Sequence, residues 1–273
     1  MGISPIQYRT WKGERTALNM RMYVILRSVF KHALKSTGVK ILLILSLLFI
    51  YAFQFILVLL DPHERLEASD MSTYFNGMGL AGFAMLLTAV VTSDLISGDL
   101  SGNSFVLYFS RAIRTVDYAI GKMGGALLVV GILCFAAPVL LAIVAIATQS
   151  GPDYGYSATV LGRTVAAGIL ATLFFVPYGT MLSSFTKRKS YAAVGTFMSF
   201  FVLTIIGNVF AEFDRSWRVI SPAESLSDAF DWIYGQELPS YIDGGALAVF
   251  LALFMIVPTL ILYLRLRMQA VGK

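Results

Sequence analysis

Charged residues are scarce in this chain of 273 residues. Only 14% of them are Asp, Glu, Lys or Arg, whereas 57% are hydrophobic. Soluble globular domains carry about 25% charged residues, so this chain lacks the polar surface that water requires. Apolar runs of about eighteen or more residues recur, and each is long enough to cross a hydrocarbon core about 30 Å thick. The composition therefore predicts a polytopic membrane protein.

Cysteine and histidine are nearly absent. Cys134 is the single cysteine, so no internal disulfide can form. The two histidines, His32 and His63, lie outside the apolar runs, which excludes a haem held by membrane histidines and a serine–histidine intramembrane protease. The sequence contains no cluster with metal-ligand spacing and no Gly-x-x-x-x-Gly-Lys-Ser/Thr loop to cradle nucleotide phosphates. We therefore expect no catalytic residue, metal or cofactor in this chain.

Ionisable residues are also missing from the middle of every apolar run. A charge at that depth costs about 2.5–3.5 kcal/mol even on a lenient scale, and ion-driven carriers keep such charges because these bind the coupling ion. Their absence argues against such a carrier, so energy for any transport would come from outside the chain. Among the mild polar residues that remain, Gln54 and Asn208 are candidates for lining a transport pathway. Interhelical hydrogen bonding is the alternative for each.

We predict an all-α fold, in a single transmembrane domain, with six membrane-spanning helices. All but four of the 21 lysines and arginines fall on one side, either in the segments between these spans or, for Lys40 and Lys122, within the first three residues of a predicted span. The positive-inside rule then places both termini in the cytoplasm. The first forty residues carry eight of these cations and no apolar core of signal-peptide type, so we expect no cleaved leader. The predicted spans cover residues 39–60, 75–95, 120–148, 160–182, 191–211 and 245–264.

The N-terminal region 1–38 carries an amphipathic pattern. Apolar residues recur at steps of three and four from Leu18 to Ala33, with arginines and lysines between them. This pattern favours a helix that lies in the plane of the membrane interface. A basic cytoplasmic tail is the alternative.

The outer segment 212–244 is predicted to contain a second amphipathic helix. Ser221 and Glu224 have the spacing of a capping box, Pro222 would occupy the first helical position, and Gly235 would end the helix. We expect this helix to lie on or dip into the outer membrane surface. A solvated loop is the alternative.

A polar segment, residues 94–122, separates the second and third spans. Gly98 and Gly102 are expected to break it, and Thr115 is expected to cap a helix that continues into the third span. Between them, residues 105–109 form an apolar and aromatic patch beside charged residues. Such a patch on a cytoplasmic loop is typical of a docking surface, with aromatic side chains in the lipid headgroups as the alternative.

Two glycines four residues apart, Gly121 and Gly125, stand at the start of the third span. This spacing favours close packing against another helix, since small residues let helix backbones approach.

Short motifs in and near the polar segment carry a family resemblance. They are Ile96-Ser97-Gly98-Asp99-Leu100-Ser101-Gly102, Leu107-Tyr108-Phe109-Ser110-Arg111, Arg114-x-x-Asp117-Tyr118-x-x-Gly121-Lys122 and, near the N-terminus, Tyr8-Arg9-x-Trp11-x-Gly13-x-Arg15. With these motifs, its length, its span count and its orientation, the chain resembles the ABC-2 type permeases. The N-terminal motif is similar to a bacterial subgroup of that family. Ala112 departs from the pattern, because many relatives have proline after the Ser-Arg pair.

The resemblance implies the membrane-spanning subunit of an ATP-binding cassette exporter in the inner membrane of a bacterium or archaeon. It implies a dimer with a second copy or a close paralogue, each paired with a separate cytoplasmic ATPase that binds ATP and Mg. Residues 15–36 would form an elbow helix on the inner surface, and the polar segment would carry the coupling helix. Faces of spans one, two and five would line the route. The expected ATPase contacts are Asp99, Leu107, Tyr108, Phe109 and Arg111.

Membrane lipid is a further expected partner, and nucleic acid is not. A function of a different class stays open, in which the chain is a non-transporting membrane scaffold or assembly factor. In that case the 94–122 loop would dock some other cytoplasmic protein. The residues do not distinguish a lipid, peptide, drug or polysaccharide as substrate.

Overall fold

The structure, a computed structural model, describes residues 18–52, 80–105, 113–148 and 154–270, together with residues 55, 56, 72, 75, 76 and 108. This part of the chain contains helices and no strand. The α-helices are α1 (Leu18–Lys35), α2 (Thr37–Leu47), α3 (Leu80–Ser93), α4 (Ser97–Ser101), α5 (Thr115–Gly131), α6 (Ala137–Thr148), α7 (Tyr154–Ser183), α8 (Lys189–Phe213), α9 (Pro222–Tyr234) and α10 (Gly244–Ala270). Two π-helical segments, Leu48–Ala52 and Ile132–Ala136, and a 3-10 helix, Arg215–Ile220, complete the order.

Within the described residues, five helical stretches are long and apolar enough to cross a membrane, and a bent pair of helices is a sixth candidate. The pair consists of Met20–Lys35 and Thr37–Ala52, which meet at an angle of 77°. The all-helical fold predicted from the sequence is therefore confirmed, with five to six candidate spans. The other five are Leu80–Ser101, Thr115–Thr148, Ser157–Ser183, Lys189–Phe213 and Gly244–Gln269.

Several of the predicted boundaries differ from the structure, among them the end of the sixth span, which is predicted at residue 264 and lies at Gln269. The second span, predicted over residues 75–95, is followed by helix α4, so the candidate span extends to Ser101. The third, predicted over residues 120–148, begins at Thr115 and has 34 residues. At 1.5 Å per residue that length is about 50 Å, which exceeds the hydrocarbon core. This helical stretch is therefore longer than a single crossing requires.

Helix α1 packs closely along the first half of α5. A Cβ atom added at Gly121 would lie 2.9 Å from Cβ of Ile25, and one added at Gly125 would lie 2.5 Å from Cβ of Val29. The close packing predicted for this glycine pair is thus confirmed, and α1 is its partner. It follows that this apolar face of α1 is covered by protein rather than by the bilayer.

The two π-helical segments face each other across the interior. The hydroxyl of Tyr51 in the first segment donates a hydrogen bond of 3.2 Å to the main-chain carbonyl of Leu133 in the second. Both side chains are buried, Tyr51 to 2% and Leu133 to 0% exposure. A π-helical turn displaces carbonyls from the regular i to i−4 ladder, which makes one available to an outside donor. This bond joins the span that contains α2 to the span that contains α5.

Segments predicted to be cytoplasmic lie together at one end of the bundle, which we call the basic end. His32 at the end of α1 lies 4.0 Å from Asp94 at the end of α3, measured from Nε2 to Oδ2. Arg265 of α10 donates from Nε to the carbonyl of Ser184, 2.7 Å away, at the end of α7. Helix α9 and the 3-10 helix lie at the opposite end.

Helix α9 confirms the helix predicted within residues 212–244. It begins at Pro222 and ends at Tyr234, and Gly235, which follows, has a φ of +84°. The amide of Gly235 donates to the carbonyl of Trp232 and that of Gln236 to the carbonyl of Asp231, the two bonds of a Schellman motif. Glycine meets the need for positive φ here without the strain that a side chain would add.

The predicted capping box at the start of α9 is wrong, because its hydrogen bonds are not formed. Ser221 is the N-cap residue, yet its side chain makes no capping hydrogen bond. Glu224 instead accepts a 2.6 Å hydrogen bond from the guanidinium of Arg218 in the preceding 3-10 helix. An ion pair with a guanidinium is stronger than a bond to a neutral amide, so the carboxylate turns away from the helix terminus.

Candidate functional site

Before α5, the described part of the polar segment forms a short helix and a turn. Helix α4 begins at Ser97 and ends at Ser101, Gly102 is its C-cap residue, and Asn103 follows with a φ of +51°. Gly98, expected to break the chain, lies inside α4, because one glycine costs a helix only about 1 kcal/mol. The expected break at Gly102 is confirmed.

The chain enters α5 one residue earlier than the capping pattern suggests. Arg114 is the N-cap residue of α5, with extended backbone angles, and Thr115 is the first helical residue. Thr115 is therefore not the cap, as the sequence predicts it to be. The helix does continue from Thr115 directly into the third span, as predicted.

Asp99 joins α4 to α5 through two side chains. Its Oδ2 accepts a 2.5 Å hydrogen bond from the hydroxyl of Tyr118 and lies 3.0 Å from Nζ of Lys122. The side chains of Asp99 and Lys122 are only 16% and 13% exposed. A carboxylate that accepts from both an ammonium and a hydroxyl makes charge-assisted bonds, which are the stronger ones. Asp99 therefore holds α4 against the start of the third span.

Aromatic rings surround this carboxylate. The ring of Tyr118 lies 5.6 Å from that of Phe105 and 5.3 Å from that of Tyr108, measured between centroids, and both pairs are tilted. Nζ of Lys122 lies 5.6 Å from the centroid of Tyr118. Tilted ring pairs at these distances are favourable beyond the area that they bury. Burial, and then the charge of Asp99, raises the pKa of the Tyr108 hydroxyl, so it remains a neutral donor.

Ser183, the last residue of α7, ties the same segment to another span. Its Oγ accepts hydrogen bonds from the amides of Ile96 and Ser97, at 3.3 Å and 3.2 Å, and donates to the carbonyl of Ser93, at 3.2 Å. The amides at the start of α4 have no partner within that helix, so an outside acceptor satisfies them. We refer to residues 96–105 with Tyr108, Tyr118, Lys122 and Ser183 as the coupling cluster.

The structure describes only some of the site residues that the sequence predicts. Asp99 and Tyr108 lie together in the coupling cluster, whereas Leu107, Phe109 and Arg111 lie outside the described residues. Gln54 lies outside them as well. Asn208 is described, and it is exposed on α8.

Sequence reasoning missed the internal partners of Asp99. Tyr118 and Lys122 are part of the motif that carries the family resemblance, yet nothing in their spacing from Asp99 indicated contact. Ser183 carries no motif at all. A hydroxyl residue at the end of a span that faces a polar loop is the one signal that could have marked it.

At the opposite end, α9 is attached to α7 and to the region before α3. Arg163 donates through Nη1 to the carbonyl of Tyr234, at the C-terminus of α9, and the Tyr234 hydroxyl donates to Oγ1 of Thr164 at 2.8 Å. A cation at this position also interacts favourably with the helix dipole. Asn76 donates to Oδ1 of Asp231 at 2.7 Å. These bonds hold α9 across the end of the helix bundle.

No group of three or more His, Cys, Asp and Glu side chains among the described residues could hold a metal ion. No model of a known protein family matches the chain, and no curated protein matches it significantly.

Proposed function

We propose that this chain is the membrane-spanning subunit of an ATP-binding cassette exporter. A separate cytoplasmic ATPase would bind and hydrolyse ATP, and this subunit would move the substrate. The proposal rests on the resemblance to the ABC-2 type permeases and on one structural observation. That observation is the coupling cluster, in which a short polar helix is bonded to two spans.

The coupling cluster provides a physical route for force. Asp99 bonds α4 to α5, and Ser183 bonds α4 to α7. Helix α5 in turn packs on α1, because the side chains of Ile25 and Val29 lie directly against Gly121 and Gly125. Because closely packed helices move as units, a displacement of α4 would shift α1, α5 and α7 together. A partner that pushes on this segment would thus act on several spans at once.

Helix α8 supports the proposal that a second copy completes the transporter. Within its most apolar stretch, only 17% of the residues are buried inside the chain. Its exposed side chains include Val194, Phe201, Ile205 and Asn208. In the proposed dimer, part of this face meets the second copy and the rest meets lipid. Asn208 would then lie beside the transport route.

The test is whether the full chain co-purifies an ATPase through residues 94–122. The tagged chain is extracted from the membranes of its native host, and the eluate is assayed for ATP hydrolysis and for a protein with a Walker A motif. We expect both with the unaltered chain. The double variant Tyr108→Ala with Arg111→Glu should lose most of the hydrolysis while the chain still inserts.

The matched control carries the same two changes elsewhere on the basic end. Tyr263 and Arg267 are four residues apart on α10, and Arg267 is exposed. Like the first double variant, Tyr263→Ala with Arg267→Glu removes one aromatic ring and reverses one positive charge. Because it lies outside residues 94–122, it should retain the ATPase. Equal retention in both double variants would contradict the docking proposal. A stable complex without ATP hydrolysis would favour a scaffold instead.

A further inference from the structure

A cleft of about 650 Å³ opens at the basic end of the bundle. Helix α1 forms one wall, the end of α3 and helix α4 form another, and the first turn of α8 forms a third. The 77° bend between α1 and α2 creates the corner in which it lies. Volumes of about 300–1,000 Å³ are typical of sites that bind small molecules or parts of larger ones.

The charges in this cleft are separated into two groups. Lys122 and Asp99 neutralise each other at 3.0 Å and are mostly buried. The groups that remain available are the cation Lys189 and the carboxylate of Asp94, whose side chain is 50% exposed. His32 lies beside Asp94 at 4.0 Å. The cleft therefore offers a cation and an anion on different walls.

Hydroxyl groups line the same cleft. Ser28 and Ser36 come from α1 and the bend after it, and Ser190 comes from the first turn of α8. All three are exposed, and each hydroxyl can donate one hydrogen bond and accept others. Such groups suit a ligand with several acceptor oxygens.

The deeper wall of the cleft is apolar. Its members come from α1, α2, α3, the turn after α3 and α8, and they are Val29, Ala33, Val39, Val90, Val91, Leu95 and Ala193. A polar rim at the end of the bundle above an apolar wall fits an amphipathic occupant. A fully water-soluble ligand would leave that wall uncovered.

We propose that this cleft binds the headgroup of a phospholipid that carries both a phosphate and a primary amine, such as phosphatidylethanolamine. The phosphate would pair with Lys189 and accept hydrogen bonds from the serines. The amine would donate to Asp94. The acyl chains would follow the apolar wall toward the bilayer.

Charge complementarity selects this headgroup among common phospholipids. A headgroup with phosphate alone, as in phosphatidylglycerol, leaves the carboxylate of Asp94 without a cation from the ligand. A quaternary ammonium, as in phosphatidylcholine, has no N–H to donate to that carboxylate. The primary ammonium has three donors and satisfies it directly. The inference does not depend on an ATPase partner, so it stands or fails separately from the proposed function.

Native mass spectrometry of the full chain in detergent tests this assignment. Phosphatidylethanolamine, phosphatidylglycerol and phosphatidylcholine with identical acyl chains are added in turn, and the lipid-bound fraction is measured. We expect phosphatidylethanolamine to be retained best. Lys189→Ala should lower its apparent affinity about tenfold, the change expected for one charge-assisted hydrogen bond. Asp94→Asn should reduce its retention to the level of phosphatidylglycerol.

Lys35→Ala is the matched control, because Lys35 is an exposed lysine at the end of α1 that does not line the cleft. Its lipid retention should equal that of the unaltered chain. Equal retention of the three lipids, or the same loss in Lys35→Ala and Lys189→Ala, would overturn the proposal. Glycerophosphoethanolamine, which lacks acyl chains, should not displace the lipid. Displacement by it at equal concentration would identify a soluble ligand and also overturn the lipid assignment.

Discussion

The hydroxyl of Tyr118 donates a 2.5 Å hydrogen bond to Oδ2 of Asp99, nineteen residues earlier in the chain. The same oxygen lies 3.0 Å from Nζ of Lys122. Asp99 is thus engaged inside the chain, so its role toward a cytoplasmic partner would be to hold α4 in place. Tyr108 packs against the same tyrosine ring and is partly exposed. In the proposed complex with an ATPase, this exposed part would contact the partner.

Replacement of Asp99 by asparagine should destabilise the basic end. Lys122, which is 13% exposed, would lose its anionic partner, and a lost charge-assisted bond costs about 1.5–3 kcal/mol. Thermal unfolding in detergent measures the effect. Asp99→Asn combined with Lys122→Gln should recover part of the loss, because the second change removes the unpaired charge. Asp117→Asn, in the same segment, is the control with a smaller expected effect. No recovery in the double variant would show that the ion pair contributes little.

Alanine at Gly125 should weaken the packing of α1 on α5. The added methyl group would lie 2.5 Å from Cβ of Val29 and 2.9 Å from the carbonyl oxygen of Leu26, so the two helices must separate. Overpacking of this kind costs about 1–3 kcal/mol. Gly162→Ala is the matched control, since no atom lies within 4 Å of its added Cβ. There the better helix propensity of alanine should stabilise by about 0.5–1 kcal/mol. Thermal unfolding measures both variants. If their midpoints shifted in the same direction, the close contact between α1 and α5 at Gly125 would be refuted.

Phenylalanine at Tyr51 should loosen the contact between the two π-helical segments. The change removes the hydrogen bond to the carbonyl of Leu133, and hydrogen bonds between membrane helices contribute about 0.6 kcal/mol on average and at most about 1.7. We expect a loss toward the upper value because both residues are buried. Tyr178→Phe is the comparison, since its partner Ser199 keeps a bond to the carbonyl of Thr196. A larger loss for Tyr178→Phe in the same unfolding assay would count against this reading of Tyr51.

Asp228 on α9 should make stability depend on pH. Its side chain is 5% exposed, and burial is the main cause that raises its pKa to about 6. The negative charges of Glu224 and Asp231 raise this pKa further, whereas the positive charge of Arg218, 3.7 Å away, lowers it. The pKa in the folded chain lies above the ordinary value of 3.8, so the folded chain binds this proton more tightly than the unfolded chain. The stabilisation is therefore complete below about pH 3.8 and is lost as pH rises through about 6.

The thermal midpoint should accordingly decrease as the pH rises from about 4 to about 6, and Asp228→Asn should flatten that decrease. Asp214→Asn is the control. The pKa of Asp214 is lowered by hydrogen bonds from Ser216, so its contribution is lost only in more acidic solution. An unchanged slope in Asp228→Asn would exclude Asp228 as its source.

Local patterns in the sequence predicted most of the helices. The sequence predicted the apolar runs, the end of a helix at Gly235 and the close packing at Gly121 and Gly125. Each of these features depends on residues within a few positions of one another. Helix periodicity and glycine chemistry operate at that range. The contacts of the polar segment with Tyr118, Lys122 and Ser183 could not be predicted in this way.

The sequence by itself determined that this protein is helical, that several helices can cross a membrane and that a polar segment separates two of them. Tertiary structure alone decided that Asp99 is held by Tyr118 and Lys122, that Ser183 anchors α4, and that the apolar face of α1 meets α5. The physical reason is the range of the interactions. Hydropathy and helix caps act over a few residues, whereas these contacts join groups that meet only when separate helices pack.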